Sequence, residues 1–344
     1  MKKPIKLGIV GLGRAGHGMH LEELAGKEDM FRICAVADLI DERCEEFKEK
    51  FGCKVYKSIE ELVDDPEIEV VDIATRSCDH YKHAKTALDA GKTVFLEKPM
   101  SETYEQAKKL IELGEADGKR RLFIRHNRRF EAKFMHLNSI INSGILGDVF
   151  FIRRSVANFD HRTDWQTISQ YGGGQLLNWG PHIVDQALRF CGGDYKKLFS
   201  VTRRIAAAGD SEDFIIATFE GINGRTVEIE ISGGTALSVP DYIAYGTRGS
   251  LISRGDTYEI KYMPSDYNLP SDAANPHTPM GTSFKGGTKI PFITEEKEWD
   301  KNFLDHTWRY LYSAIREGED YPIKSEEALK VMQTISEIKR QNSL

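Results

Sequence analysis

The feature that most constrains this chain is a short apolar run ending in three spaced glycines. Ile5-Lys6-Leu7-Gly8-Ile9-Val10 leads directly into Gly11-Leu12-Gly13-Arg14-Ala15-Gly16, and a helical pattern follows. Strand, tight turn and helix N-terminus are the order that a dinucleotide-binding site needs. Gly11 suits the turn, Gly13 lets a pyrophosphate approach the backbone, and Gly16 lets helix and strand pack closely. The first N–H groups of that helix, with Leu12, Arg14 and Ala15 among the residues of the turn, are free to face phosphates. Val36-Ala37-Asp38 closes a second apolar strand with an acid, where a ribose-binding carboxylate is expected. Asp38 favours NAD, since a 2′-phosphate would meet its charge; Arg43, close by in sequence, leaves NADP open.

From Ile5 to about Ile124 strand and helix patterns alternate, which implies a parallel sheet covered on both faces. Gly11, Asp38, Thr75 and Glu97-Lys98 all stand at strand carboxyl ends and should meet in one crevice. A lysine there, stripped of water, has a lowered pKa and can polarise a substrate hydroxyl. Composition, 40% hydrophobic and 29% charged, is ordinary for a soluble globular protein. The net charge of −6 argues against nucleic acid or an anionic membrane as the main partner. Five cysteines without a C-x-x-C pair fit a reducing cytoplasm, no apolar window reaches membrane-span length, and no metal-ligand set is complete.

Further motifs give the chain a family likeness. They are Gly11-x-Gly13-x-x-Gly16, Ala74-Thr75 with His80 and Ala90-Gly91-Lys92, Glu97-Lys98-Pro99, Asn127-Arg128-Arg129-Phe130, Gly144-Ile145-Leu146-Gly147, and Gly172-Gly173-Gly174 leading to His182 and Asp185. In these the chain resembles the Gfo/Idh/MocA family of nicotinamide-dependent oxidoreductases. The resemblance implies an α/β protein of two domains. A Rossmann NAD(P)-binding domain (1–125) would precede an α/β substrate-binding and oligomerisation domain (126–344) with a large, mostly antiparallel open sheet. It also implies a homodimer or homotetramer.

The resemblance makes Lys98 and His182 the candidate catalytic pair, with Asn178 beside them. Gly11 to Gly16, Asp38, Thr75, His80, Glu97 and Lys98 are the candidate cofactor contacts. Arg128, Trp165, Asn178 and Asp185 are the candidate substrate contacts. Pro181 suits a first helical position, which places His182 where the helix dipole disfavours the imidazolium and keeps a base neutral. Asn178 departs from the family, which usually carries Asp there; an amide can hydrogen-bond but cannot carry charge or a proton.

The activity so implied is hydride transfer between nicotinamide and a secondary alcohol or ketone of a sugar, sugar derivative or cyclic polyol. Two other readings stay open at this point: a tightly held NAD used in a closed redox cycle of transfer or elimination, and a non-catalytic nucleotide-binding regulator. In the second half, hairpin-spaced strands run from Phe199 to Tyr262, Asn158–Tyr171 reads as a polar and aromatic loop, and Met263–Lys289 as a long exposed one. Glu296–Glu317 and Ser325–Asn342 read as helices.

Overall fold

The computed structural model describes residues 3–271, 276–277, 289–301 and 306–343. Six parallel strands form the first sheet: β1 (Ile5–Val10), β2 (Phe31–Ala37), β3 (Lys54–Tyr56), β4 (Val70–Ile73), β5 (Thr93–Glu97) and β6 (Leu122–Arg125). Their order is β3-β2-β1-β4-β5-β6. That is the doubly wound order whose chain reversal, between β1 and β4, opens a crevice at the carboxyl ends. Strands buried on both faces need continuous apolar runs, and Ile5, Leu7, Ile9, Val70, Val71, Ile73, Val94, Phe95 and Leu96 supply them.

The second sheet has eight strands: β7 (Val149–Ala157), β8 (Tyr195–Arg203), β9 (Phe214–Gly221), β10 (Thr226–Ser232), β11 (Tyr242–Gly246), β12 (Gly249–Arg254), β13 (Thr257–Tyr262) and β14 (Ile293–Glu298). The order is β14-β13-β12-β11-β7-β10-β9-β8, and every pairing is antiparallel except β7 with β10. Alternation along β9 and β10 sends Ile215, Ala217, Phe219, Val227, Ile229 and Ile231 to one buried face. The Gly180–Phe190 helix packs there, between the sheet and the Ser325–Gln341 helix. The fold is therefore α/β with a mostly antiparallel second sheet, as the sequence implied.

The chain does not divide simply at residue 125. The Thr307–Tyr312 helix returns to the first sheet, where the Trp308 ring meets Phe95 and Phe31 at centroid distances of 4.8 and 5.3 Å. Tyr321 packs edge-on against Phe123. Residues from the C-terminal part of the chain thus pack on the first sheet.

Some local expectations need correction. Glu296–Glu317 is not one helix: Ile293–Glu298 forms the outer strand β14, and the helix begins only at Thr307. Thr294-Glu295-Glu296-Lys297-Glu298 has helix-forming residues, but pairing with β13 decides its state, and its charges suit an exposed sheet edge. The segment after the glycine turn is π-helical over Arg14–His20 before Leu21–Leu24 turns α-helical. Asn158–Tyr171 contains two short 3-10 turns, Trp165–Thr167 and Ser169–Tyr171. Much of Met263–Lys289, namely 272–275 and 278–288, lies outside the described residues.

Candidate active site

The glycine turn has the geometry that its spacing demands. Gly11 sits at φ +92°, and a Cβ there would lie 2.7 Å from the Ala74 backbone. A Cβ on Gly16 would overlap the Gly11 carbonyl oxygen. Gly13 differs: its φ is −84°, and the nearest neighbour of a Cβ would be Arg43 Nη1 at 3.8 Å. Gly11 and Gly16 are needed by the fold, while Gly13 keeps open the space in which a pyrophosphate could approach. Arg14 lies exposed beyond it, with Ala15 half-buried. This cradle at a helix start fits a dinucleotide, although the Leu12 N–H, expected to be free, donates to Asp38.

These contrasting environments set up a test. Gly13→Val will leave the melting temperature within about 2 °C, because nothing packs there. It will weaken NADH binding, read by fluorescence titration, by about tenfold or more. Gly11→Ala will instead cost about 1–3 kcal/mol of stability in urea unfolding.

Asp38 stands at the end of β2 with its side chain nearly buried. One carboxylate oxygen accepts the Leu12 N–H at 2.6 Å, the other accepts the Ile40 N–H at 2.9 Å, and Arg43 Nη1 lies 3.5 Å away. The acid thus braces the turn as well as presenting charge beside it. Thr75, at the end of β4, pairs its Oγ1 with His83 Nδ1 at 3.1 Å. His80 is buried, with its ring nitrogens 2.6 Å from the Pro99 carbonyl oxygen and 3.0 Å from that of Thr75. Burial lowers its pKa, and its ring ties the β4 end to the Lys98-Pro99 step rather than opening to the crevice.

Lys98 follows β5 immediately. Its Nζ donates to the Asn178 carbonyl oxygen at 3.0 Å and lies 3.4 Å from Asn178 Oδ1. Burial, with the charges of Arg128, Arg125 and Arg14, outweighs the opposing charge of Glu97 and lowers its pKa to about 8. His182 occupies the first turn of the Gly180–Phe190 helix, next to Pro181. It is 7 % exposed, and its Nδ1 is buried with no hydrogen-bond partner. Burial first, and then the charge of Lys98, hold its pKa well below 6.5. The result is a neutral imidazole and a proton-labile ammonium in electrostatic reach of each other, which is the separation of roles that acid–base work on a hydroxyl needs.

Asn178 joins the wall around them. Gln166 Nε2 donates to its Oδ1 at 3.3 Å, so the loop that holds Trp165 reaches the Lys98 neighbourhood through Gln166. Trp165 itself is half-buried at the start of its turn. Arg128 stacks on the Trp179 ring, 4.3 Å from its centroid, and Trp179 meets His182 edge-on at 6.0 Å. The three glycines 172–174 serve close protein packing: a Cβ on Gly172 would lie 2.8 Å from the Ser77 Cβ, and one on Gly174 would strike the Glu212 carboxylate.

Two expected ligand contacts face the interior instead. Asp185 is 1 % exposed, and both its oxygens accept from the Arg129 guanidinium, with Nε at 2.9 Å. Glu97 is also buried; its Oε1 accepts from Arg125 at 2.6 Å and faces His20 Nε2 at 3.0 Å, while its Oε2 accepts the Lys98 N–H at 3.1 Å. Each carboxylate is spent on a cation of the chain, so each positions the site from beneath. Reading the sequence missed His20, Asp72, Arg125 and Trp179 as parts of this site. The available signal was Asp72, a charge inside the apolar run Val70-Val71-Asp72-Ile73.

Comparison with known proteins agrees with this geometry. Residues 5–126 match the family described as oxidoreductase family, NAD-binding Rossmann fold, and residues 134–252 match the GFO/IDH/MocA C-terminal domain. The chain belongs to the Gfo/Idh/MocA family. Among its relatives is a scyllo-inositol 2-dehydrogenase (NADP+) of Bacillus subtilis, 27% identical over 345 residues that cover 96% of this chain and 92% of the relative. A myo-inositol 2-dehydrogenase of Thermotoga maritima is 29% identical over 62% of this chain and 64% of its own length. The solved structure of an NAD-binding protein from Listeria innocua shares the fold, with a TM-score of 0.83 and 23% identity, over 99% of this chain and 95% of that one. As a family member, the chain carries an NAD-binding Rossmann domain and is an oxidoreductase. Among the described residues no helix is long and apolar enough to cross a membrane.

Proposed function

We propose that this chain is an NAD(P)-dependent dehydrogenase of a secondary alcohol in a sugar, sugar derivative or cyclic polyol. The observation that carries the reading is the neutral, unpartnered His182 Nδ1 beside the Lys98 ammonium, at the carboxyl edge of a dinucleotide-binding sheet. When bound, the nicotinamide supplies the hydride acceptor or donor. The chain does the rest. His182 takes the hydroxyl proton, and Lys98 donates a hydrogen bond to the same oxygen as negative charge grows on it. Asn178 holds Lys98, Gln166 holds Asn178, and the two offer amide groups to neighbouring hydroxyls. Arg128 and Trp179 form a flat, partly apolar wall of the kind that suits a ring. Asp38 supports a preference for NAD, and Arg43 beside it gives a 2′-phosphate a partner.

The inositol dehydrogenases among the relatives support cyclic polyols as the first candidates. The test is a fluorescence titration with NADH and NADPH side by side, followed by a panel of inositols, aldoses and sugar acids. We expect stoichiometric production of free NADH or NADPH with at least one polyol. Binding of a nicotinamide that survives gel filtration, without net reduction by any panel member, would favour the closed redox cycle instead.

A further inference from the structure

Below Lys98 lies a buried ion cluster drawn from five elements. His20 is wholly buried at the end of the π-helical segment Arg14–His20. Its Nδ1 lies 2.7 Å from Asp72 Oδ2 on β4, and its Nε2 lies 3.0 Å from Glu97 Oε1 on β5. Arg125, at the end of β6, donates to the same Glu97 oxygen and pairs with Glu23 of the Leu21–Leu24 helix. Trp308 closes the cluster: its ring meets the His20 ring edge-on at 5.5 Å, and its Nε1 donates to Glu23 at 2.8 Å.

The two carboxylates that flank the ring favour a cationic His20. With both acids ionised, each oxygen only accepts, so both ring nitrogens carry hydrogen. Charge counting agrees. Asp72, Glu97 and Glu23 contribute three negative charges, and Arg125 and Lys98 two positive ones; a cationic His20 makes the sum zero. Asp72 Oδ1 is buried without a hydrogen-bond partner, which leaves that acid dependent on His20. In keeping with this, burial alone would lower the His20 pKa, but Asp72 and Glu97 raise it to about 9.

We propose that His20 is a positioning residue for Lys98: its fixed positive charge binds Glu97 from below, so that Glu97 holds the Lys98 backbone while exerting less attraction on the Lys98 ammonium. The link is direct: Glu97 precedes Lys98 in the chain, and its Oε2 accepts the N–H of Lys98 itself at 3.1 Å. A Glu97 carboxylate without His20 would hold the Lys98 proton more tightly and make it a poorer donor toward an alkoxide. The charged groups facing His20 are Asp72, Glu97 and Arg125, with Glu23 behind Arg125. The importance of Lys98 as a proton donor rests on the proposed dehydrogenase reading; its coupling to His20 does not.

The experiment therefore reads the lysine directly. The chain without added nucleotide is labelled with trace acetic anhydride between pH 6 and 11, and Lys98 acetylation is followed by peptide mass spectrometry. In the natural chain the midpoint should fall near 8. In His20→Gln it should move up by about half a pH unit or more. His20→Asn, which likewise removes the charge of the ring, should move it the same way and serves if His20→Gln does not fold. A role confined to packing would lower the melting temperature and leave the midpoint in place. An unmoved midpoint in a folded variant overturns the proposal. A moved midpoint supports it, even if no polyol on the panel turns over, in which case the dehydrogenase reading alone fails.

Discussion

Lys98→Met will lower hydride transfer to nicotinamide by about a thousandfold, with NADH affinity changed no more than about threefold. Methionine keeps most of the stem that passes Asn178 but removes the ammonium. The lost interaction is one that strengthens as the substrate oxygen gains charge, so the effect belongs in kcat rather than in binding. His182→Asn should cost about 10²–10⁴-fold, the usual contribution of a positioned base. The double variant should be little worse than either single one, because the two groups act on one oxygen. The pH profile separates them. With its pKa held well below 6.5 by burial, His182 is already the free base at neutral pH and gives no limb there. Lys98 is the cation below about pH 8 and loses its proton above it. Oxidation should therefore be flat through neutrality and fall as pH rises through about 8, and in Lys98→Met that fall should disappear. Steady-state rates with the polyol identified by the panel check each statement; a Lys98→Met enzyme with the natural rate and profile removes Lys98 from the mechanism.

How far this could be read in the sequence depended on the range of the forces involved. The glycine turn was legible because Gly11 and Gly16 answer to backbone sterics within a few residues, or to the neighbouring strand end at Ala74. The parallel sheet was legible because burial on both faces demands unbroken apolar runs. Pro181 made the helix start legible and so placed His182 in the first turn, but only the family resemblance singled that histidine out. The buried ion cluster was not, since His20 meets Asp72 across 52 residues of chain and Glu97 across 77. No local pattern pairs such residues; only the strand order β1-β4-β5-β6 brings them together. The outer strand β14 was misread for the opposite reason. Its local preference was helical, and a partner strand overruled it. Asp185 shows a third limit: the resemblance placed it by the substrate, but which cation claims a carboxylate depends on the tertiary fold.

That last point leads to the other large effect. Asp185→Asn will destabilise the chain by about 3–5 kcal/mol, read as a lowered urea midpoint, while NADH binding to the folded fraction stays near its natural value. Arg129 is 9 % exposed and rests on two acids, Asp185 from the Gly180–Phe190 helix and Glu327 from the Ser325–Gln341 helix. Glu327 also takes Arg189 at 2.5 Å, one turn beyond Asp185. One carboxylate cannot balance two guanidinium groups, so removing the Asp185 charge leaves a buried cation short of its counter-ion. The cost reaches the site because Arg129 lies in the short turn Asn127–Phe130 that also carries Arg128. Loosening it frees Arg128 to leave the Trp179 ring, which should raise KM for the polyol more than it lowers kcat. An Asp185→Asn chain of natural stability whose KM rises steeply would instead return Asp185 to direct substrate contact. Together the two outcomes decide whether this carboxylate holds the helix that carries His182 or the molecule on which His182 acts.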